Sequence, residues 1–387
     1  MVSLEVSFHM PGLTRPVVPG TKLWNTPLSA GTDARQTVGQ MTVGDYFQAA
    51  RSFLTQDQGS RLCRAIKALA GECGPVPALG ISLEKHGAFY HPLKISIEIG
   101  KGLPVYLVLN GAVKDPGAAL IHKEHQLLAS LASRIKPGFL PRVFGAETIA
   151  CDKGRVCFFL GQWFDGFCEF HVTRTPEGNQ VAVWQDDGIH ETIPWEQAAR
   201  IYQRIAYILT AYYDVHTGHE IGPWHHAAGD FVVSLSKEGT AVRLITVRGM
   251  GPLTQMAAEP SGPGVRQLFH LLVFFLNLTV RMRLDRLDGI GPMVFLPEVV
   301  LDATVKGMFQ ALEDRERGRL GEADSMRVPA ALSCEFIDFA TRFDAAQLVQ
   351  VIAALLEDWQ SGEAELALVQ KNLVAHCSRV NRILTRR

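Results

Sequence analysis

Hydrophobic and polar residues follow two different patterns along the chain, one typical of strands and one typical of helices. Between about residues 80 and 160, short apolar runs alternate with period two and are separated by tight turns, as in Lys94-Ile-Ser-Ile-Glu-Ile99. Within this part, residues 118–135 instead repeat their leucines at helical spacing. The pattern predicts a five-stranded antiparallel sheet with one helix inserted after the third strand.

Beyond residue 194 the apolar positions recur at helical spacing, which predicts a mostly helical second half. Pro194 suits the start of one helix, and Asp344 is a good N-cap for another. A hairpin over residues 231–247 interrupts the helices, and residues 170–193 give no clear pattern. The predicted helices cover residues 195–213, 264–284, 297–313, 344–360 and 363–384. Sheet first and helices afterwards is typical of the α+β class.

The start of the chain is predicted to be an N-terminal extension. Residues 1–40 are rich in Pro, Gly and Thr, which is typical of an extended arm, and two short helices follow over 42–54 and 59–71. Gly74-Pro-Val-Pro77 then forms a linker. The predicted division is an arm with short helices over 1–79, a strand-rich lobe over 80–161 and a helical lobe over 162–387.

Composition and charge narrow the function classes. The chain has 387 residues, 47% of them hydrophobic and 20% charged, as expected for a globular protein with a large core. The net charge of −1 gives no reason to expect a nucleic-acid partner. The longest apolar run, residues 268–280, is shorter than the ~20 residues that membrane insertion needs. Seven irregularly spaced cysteines predict reduced thiols in a cytoplasmic protein.

The candidate chemistry concentrates in the loop between a long helix and the hairpin. His225 and His226 are adjacent, and Asp230 follows them after Gly229. Loops between rigid elements commonly present functional side chains. Two other interpretations remain open. The side chains can hold the loop together through internal hydrogen bonds, or the histidines can form a zinc site together with His216 and His219, although no cysteine accompanies them.

Two short segments carry a resemblance to a known family. Gln162-Trp-Phe-Asp-Gly166 resembles the hinge "acid-Trp-x-x-Gly" of small-molecule kinases, and Gly229-Asp-Phe-Val-Val233 resembles the "Gly-Asn-Ile-Leu-Val" that closes their catalytic loop. Together with the order of elements, these segments make the chain similar to the protein-kinase-like superfamily, closest in look to the aminoglycoside and choline phosphotransferase branch. The resemblance implies a two-lobed α+β fold with a five-stranded N-lobe and a mostly helical C-lobe.

For nucleotide binding, the resemblance assigns roles residue by residue. Glu124 matches the glutamate of the N-lobe helix, and Asn110 stands near the position of its usual lysine partner on the third strand. Lys94 and Lys114 are alternative cations. Gly87 lies in the segment that matches the glycine-rich loop, without the full glycine signature. Gln162 and Trp163 lie in the hinge, whose backbone groups would hold an adenine.

For catalysis, the same alignment with the family places different residue types at the usual catalytic and metal-binding positions. His225 stands at the position of the catalytic aspartate, with His226 beside it, and Asp230 stands at that of a metal-binding asparagine. Thr246 falls at the position of the second metal-binding aspartate. Arg248 is a cation that substitutes for the missing lysine. In this register Asp230 is the metal ligand.

These differences from the usual kinase residues lead to two functional hypotheses. In the first, the protein is a kinase-like pseudokinase without the standard catalytic set, and it binds a ligand or regulates a partner. In the second, it is an atypical ATP-dependent small-molecule phosphotransferase that uses His225 or His226 as general base and Asp230 as metal ligand. The resemblance implies ATP and Mg²⁺ as cofactors. A small molecule or a protein is the expected partner, and its identity stays open.

Overall fold

The chain folds into two compact units of the α+β class, as the hydrophobic pattern predicts. Unit 1 comprises Met1–Ala129 and Pro141–Asp165, and unit 2 comprises Ser130–Leu140 and Gly166–Arg387. The structure is a computed structural model. It describes residues 4–30, 33–84, 90–99, 104–184, 190–222, 224, 227–236, 239–253, 262–321, 323–359 and 362–387.

A mixed sheet is the frame of unit 1. The elements in chain order are β1 (Glu5–His9), β2 (Pro27–Ala30), β3 (Asp33–Thr42), α1 (Val43–Thr55), α2 (Ser60–Ala70), β4 (Ala78–Leu83), β5 (His91–Ile97), β6 (Val105–Ala112), α3 (Asp115–Ala132), β7 (Val143–Cys151) and β8 (Gly154–Gln162). The sheet has the order β1-β4-β5-β6-β8-β7, and β2 pairs with β3 in a separate hairpin. Strands β4 to β8 pair with one another in antiparallel fashion, with α3 after the third, as predicted. Strand β1 lies in the segment predicted as an extended arm, and it adds to the sheet in parallel with β4.

Helices α1 and α2 cover one face of this sheet. Helix α1 begins at a capping box, in which Thr42 and Asp45 each accept a hydrogen bond from the backbone N–H of the other. The Tyr46 hydroxyl of α1 donates to the backbone carbonyl of His91 on β5. The two helices and the inward-facing strand residues share one core, which includes Tyr46, Phe47, Phe53, Leu54, Leu62, Ile66, Ile81, Leu93, Ile95, Leu107, Leu109, Phe158 and Leu160. The predicted short helices are therefore part of the core of unit 1.

A disulfide joins Cys63 in α2 to Cys73 before β4, with their Cα atoms 5.6 Å apart. The prediction of reduced thiols is wrong for this pair. Helix α2 ends at Gly71, whose left-handed conformation (φ 87°) reverses the chain and brings the two cysteines together. The free cysteines among the described residues are Cys151, Cys157, Cys168, Cys334 and Cys377.

Helices dominate unit 2. The elements in chain order are β9 (Glu169–Thr175), β10 (Gly178–Trp184), β11 (His190–Ile193), α4 (Trp195–Tyr212), β12 (His219–Ile221), β13 (Phe231–Ser236), β14 (Gly239–Leu244), β15 (Met250–Pro252), α5 (Pro263–Arg281), β16 (Leu284–Arg286), β17 (Met293–Phe295), α6 (Glu298–Glu316), α7 (Leu332–Ala340), α8 (Ala345–Glu357) and α9 (Glu363–Leu384). Strands β9 to β11 form an antiparallel sheet where the sequence gives no clear pattern, and the other strands form pairs.

The long helices predicted for unit 2 are confirmed to within a few residues at either end, whereas α7 was not predicted. Asp344 caps α8 as expected: its carboxylate accepts from the Gln347 N–H at 2.8 Å, and the Gln347 side chain accepts from the Asp344 N–H at 2.9 Å. The apolar run of α5 is buried within unit 2. Among the described residues, no single helix is long and apolar enough to cross a membrane, and α7 and α8 reach that criterion only together, across a bend of 103°.

Because α1 packs closely on β6, alanine substitutions at two glycines of unit 1 are expected to have very different effects on stability. A Cβ at Gly111 would overlap the Tyr46 hydroxyl and the Phe158 ring, whereas a Cβ at Gly74 would meet only Ile99 Cγ2, at 3.8 Å. Gly111→Ala is expected to lower the free energy of unfolding by about 1–3 kcal/mol, the usual range for overpacking. Urea unfolding followed by tryptophan fluorescence measures the change.

Gly74→Ala is the matched control for this substitution, and it is expected to be neutral or slightly stabilising because alanine restricts the unfolded chain. Equal stability of the two variants would contradict the packing of α1 against β6.

Candidate functional site

The candidate site residues from the sequence are divided between the two units, and each group has its own contacts. Asn110, Glu124, Gln162 and Trp163 lie in unit 1, and Asp230, Thr246 and Arg248 lie in unit 2. The three remaining candidates fall outside the described residues: Gly87, His225 and His226. The hypotheses about the glycine-rich loop and the histidine base therefore stay predictions.

Glu124 is buried in α3, as expected for a glutamate that has a structural partner. Its Oε2 accepts a hydrogen bond of 2.6 Å from the Tyr90 hydroxyl. A phenol is a neutral donor, whereas the resemblance implies a lysine ammonium at this place. Asn110 on β6 is neutral as well, and Lys114 is exposed just before α3. The described hydrogen bond of Glu124 therefore links α3 to Tyr90.

Lys94 is the cation on the sheet face that carries Asn110. Lys94 lies opposite Val108 and Pro92 lies opposite Asn110 in the β5–β6 register, so alternation places both polar side chains on one face. The Lys94 Nζ lies 4.8 Å from the ring centroids of both Tyr106 and Trp163, within the range of cation–π interactions. This face therefore presents an ammonium group, an amide and two aromatic rings.

The backbone of the predicted hinge takes part in the sheet of unit 1. The Gln162 N–H donates to the Arg142 carbonyl at 2.8 Å, and the Trp163 N–H donates to the Tyr106 carbonyl at 3.4 Å. The Gln162 side chain also accepts from the Arg142 N–H at 3.4 Å. These two backbone donors extend the sheet, so an adenine at this segment would have to use other groups, such as the Trp163 ring.

Local backbone geometry fixes Asp230 at the start of β13. Gly229 has a φ of +88°, a conformation that a side chain at this position would strain. Ala228 forms an isolated bridge with Phe231, and the Ile245 N–H donates to the Asp230 carbonyl at 2.9 Å. The Asp230 side chain is buried beside the β13–β14 hairpin. The backbone of this tight turn thus requires Gly229 of the Gly-Asp pair that carries the resemblance.

The Asp230 carboxylate forms an ion pair with Arg248. The Arg248 Nη1 lies 2.7 Å from Asp230 Oδ1. The sequence interpretation gave these two residues separate roles, Asp230 on a metal ion and Arg248 on a phosphate, and the structure joins their charges to each other. Thr246 lies on the same segment after β14 and offers a hydroxyl where a carboxylate is usual. A Mg²⁺ ion at Asp230 would have to compete with a guanidinium group already in place.

The zinc hypothesis has no support among the described residues, which contain no group of three or more metal-ligating side chains. The His216 Nε2 lies 2.8 Å from the Arg327 carbonyl, and the His216 N–H donates to the Asp214 carboxylate at 3.0 Å. His219 belongs to the short strand β12. The first histidine of the predicted cluster is therefore engaged in holding the segment after α4.

Sequence reasoning missed a buried polar network around Glu220. The Asn277 Nδ2 donates to Glu220 Oε1 at 3.2 Å, and the Arg281 Nε donates to Asn277 Oδ1 at the same distance. The Arg281 guanidinium lies 3.6 Å from the centroid of the Trp359 ring and 4.0 Å from the Glu365 carboxylate. In the sequence, this network is indicated by Asn277, a polar residue within the most apolar run of the chain.

Burial governs the protonation of this network. Desolvation raises the pKa of Glu220 to about 8 despite the charge of Arg281 and the hydrogen bond from Asn277. Desolvation also lowers the pKa of Arg281 to about 10. Near neutral pH the carboxyl is therefore mostly protonated and the guanidinium is charged. Strand β12, which leads toward the loop of the predicted catalytic histidines, is anchored to α5 through this network.

Comparison with known proteins gives no independent assignment: no protein-family model matches the sequence, and no curated protein resembles it significantly.

The raised pKa of Glu220 predicts how stability depends on pH. Between its ordinary value of 4.5 and about 8, the group is ionised in the unfolded chain and protonated in the folded protein. The unfolded state binds fewer protons there, so this group lowers the free energy of unfolding as pH rises through that window. Glu220→Gln is expected to remove this slope, so its stability relative to the wild type rises from pH 5 to pH 8. Urea unfolding at several pH values tests the expectation.

Glu177→Gln, at an exposed position between β9 and β10, is the control for the pH experiment. Parallel pH profiles of the wild type and Glu220→Gln would contradict the assignment.

The Asp230–Arg248 ion pair predicts coupled effects of substitution. Arg248→Met leaves a buried carboxylate without its guanidinium and is expected to lower the free energy of unfolding by about 1–3 kcal/mol. In the Asp230→Asn background the same substitution is expected to have a smaller effect, because the charge to be balanced is gone. A double-mutant cycle measures this coupling energy by urea unfolding. Additive effects of the two substitutions would argue against the ion pair.

Proposed function

We propose that the chain is a kinase-like protein that lacks the standard catalytic set and works as a ligand-binding or regulatory pseudokinase. The order of elements supports this proposal: five antiparallel strands with a helix after the third, followed by a mostly helical part that the β13–β14 hairpin interrupts. The observation that carries it is the ion pair of 2.7 Å between Asp230 and Arg248.

Phosphoryl transfer depends on charge that is free to act on the transferred group and its metal ions. In this chain the Asp230 carboxylate faces a guanidinium group, and Glu124 accepts from a phenol. Thr246 offers a hydroxyl in place of the second carboxylate. These three positions favour binding over catalysis, because the internal ion pair weakens the affinity of Asp230 for a divalent cation.

ATP is the ligand that we propose for the sheet face of unit 1. The Lys94 ammonium suits a phosphate, and the Tyr106 and Trp163 rings beside it suit the flat face of a purine. Asn110 adds an amide on the same face. Mg²⁺ would then arrive with the phosphates of the nucleotide. We further propose a cytoplasmic protein whose partner is a small molecule or another protein, with neither nucleic-acid binding nor membrane insertion.

A thermal-shift experiment on the full chain distinguishes binding from catalysis. Millimolar ATP is expected to raise the melting temperature because a ligand that binds only the native state stabilises it. The shift is expected to need no Mg²⁺, and no release of phosphate should follow. A shift that requires Mg²⁺ and disappears in Asp230→Ala would instead favour the atypical phosphotransferase that uses His225 or His226. No shift at all would reject the nucleotide as ligand.

Lys94→Met tests which cation contacts the nucleotide. Loss of a charge-assisted contact is expected to weaken ATP binding about tenfold, or about 1.4 kcal/mol, in isothermal titration calorimetry. Lys123→Met removes an equal charge from an exposed position on α3 and is expected to leave the affinity unchanged. Equal affinities of the two variants would exclude Lys94 from the site.

A further inference from the structure

Unit 1 contains an open cleft of about 280 Å³ that shares no residue with the candidate nucleotide site. It lies where β6 ends and α3 begins, beside β7 and β8. Both small apolar and polar side chains line it: Ala112, Val113, Asp115, Ala118, Ala119, His122, Thr148, Arg155 and Cys157. The volume is near the lower end of the ~300–1,000 Å³ typical of small-molecule pockets.

A thiol and an imidazole meet in this cleft. The Cys157 Sγ lies 3.2 Å from the His122 Nε2, which is hydrogen-bonding distance for sulfur. Cys157 is buried and His122 is exposed, so the thiol lies deep in the cleft with a base at its side. A nucleophile within hydrogen-bond reach of a base is the arrangement that activates cysteine, because the thiolate is the reactive form.

The surroundings of Cys157 favour the thiol over the thiolate. Burial raises the pKa of Cys157, and a hydrogen bond from Thr148 and the positive charge of Arg155 offset this increase only in part. The thiol is therefore protonated at rest, and its reaction needs His122 to accept the proton. Arg155 Nη2 lies 2.7 Å from Asp115 Oδ1, and both side chains are largely exposed at the rim of the cleft.

We propose that Cys157 is a redox modification site at which a small anionic disulfide, of which oxidised glutathione is the probe, forms a mixed disulfide. His122 accepts the proton of the Cys157 thiol, and the thiolate attacks one sulfur of the incoming disulfide. A new S–S bond forms to Cys157 as the old S–S bond breaks, and the departing thiolate takes up the proton. Cys157 is oxidised and the departing thiol is the reduced product.

The residues around the thiol select this class of reagent. The small alanine side chains of the lining leave room for the attacked disulfide. Arg155 is the cation of the rim, and a carboxylate of an anionic reagent would bind it in competition with Asp115. A metal ion would need a third ligand beside Cys157 and His122, and no group of three ligating side chains occurs among the residues that the structure describes. The cleft therefore suits a covalent reaction at sulfur.

Peptide mass spectrometry of the full chain after treatment with oxidised glutathione tests the proposal. A glutathionyl group is expected on Cys157 and is removed by dithiothreitol. His122→Gln is expected to slow this modification about a hundredfold, the lower end of the range for loss of a general base. His190→Gln is the control, because His190 is an exposed histidine on β11 of unit 2 that does not line the cleft, and its rate should equal that of the wild type.

Alkylation rates in the wild-type protein provide a second test, which does not depend on whether a variant folds. Iodoacetamide is small and neutral. It is expected to alkylate Cys157, which lines the cleft beside His122, at least about tenfold faster than the equally buried Cys377. Arg155→Gln should slow the reaction with oxidised glutathione but not the reaction with iodoacetamide. Equal alkylation of Cys157 and Cys377, or an unchanged glutathione rate in folded His122→Gln, overturns the proposal. Equal slowing of both reagents in Arg155→Gln overturns the selection of anionic reagents.

Discussion

Burial of one face of the β4–β8 sheet against α1 and α2 is the constraint on which the rest of unit 1 depends. Because side chains alternate along a strand, filling one face with Leu93, Ile95, Leu107 and Leu109 directs the intervening residues to the other face. Lys94 and Asn110 occupy that second face for this reason. A shift of one residue in register would exchange the apolar and polar sets, so the core fixes the position of the polar groups.

The charged groups of unit 2 are organised by their internal partners. Arg248 neutralises Asp230 at the turn before β13, and Arg281 stands near Glu220 at the start of a buried polar chain. Removing one member of such a pair leaves the other poorly solvated, so these residues hold elements together even where they resemble catalytic groups. The Asp230–Arg248 ion pair thus reduces the capacity of Asp230 to bind a metal ion, and this supports the proposal of a binding protein without catalysis.

The sequence predicted the elements that depend on local patterns. Strands β4 to β8 and the long helices are encoded by period-two and helical spacing within each segment, and the Asp344 cap by a local pair with Gln347. The missed features depend on contacts between distant residues. Strand β1 pairs with β4, which lies about seventy residues later in the chain, and Asp230 forms an ion pair with Arg248 on the other side of the hairpin. The Cys63–Cys73 bridge depends on the turn at Gly71 rather than on a cysteine motif.

The two edge strands of the six-stranded sheet have a consequence for association with other chains. At one edge, the Val17 N–H donates to the Phe8 carbonyl of β1 at 2.7 Å, so the following segment folds back over that strand. At the other edge, β7 has a register irregularity around Gly145, and Glu147 pairs with Arg61 of α2. Irregular, charged or covered edges disfavour the addition of a strand from another molecule. Self-association through unit 1 would therefore rely on side-chain surfaces, and amyloid-like growth along this sheet is disfavoured.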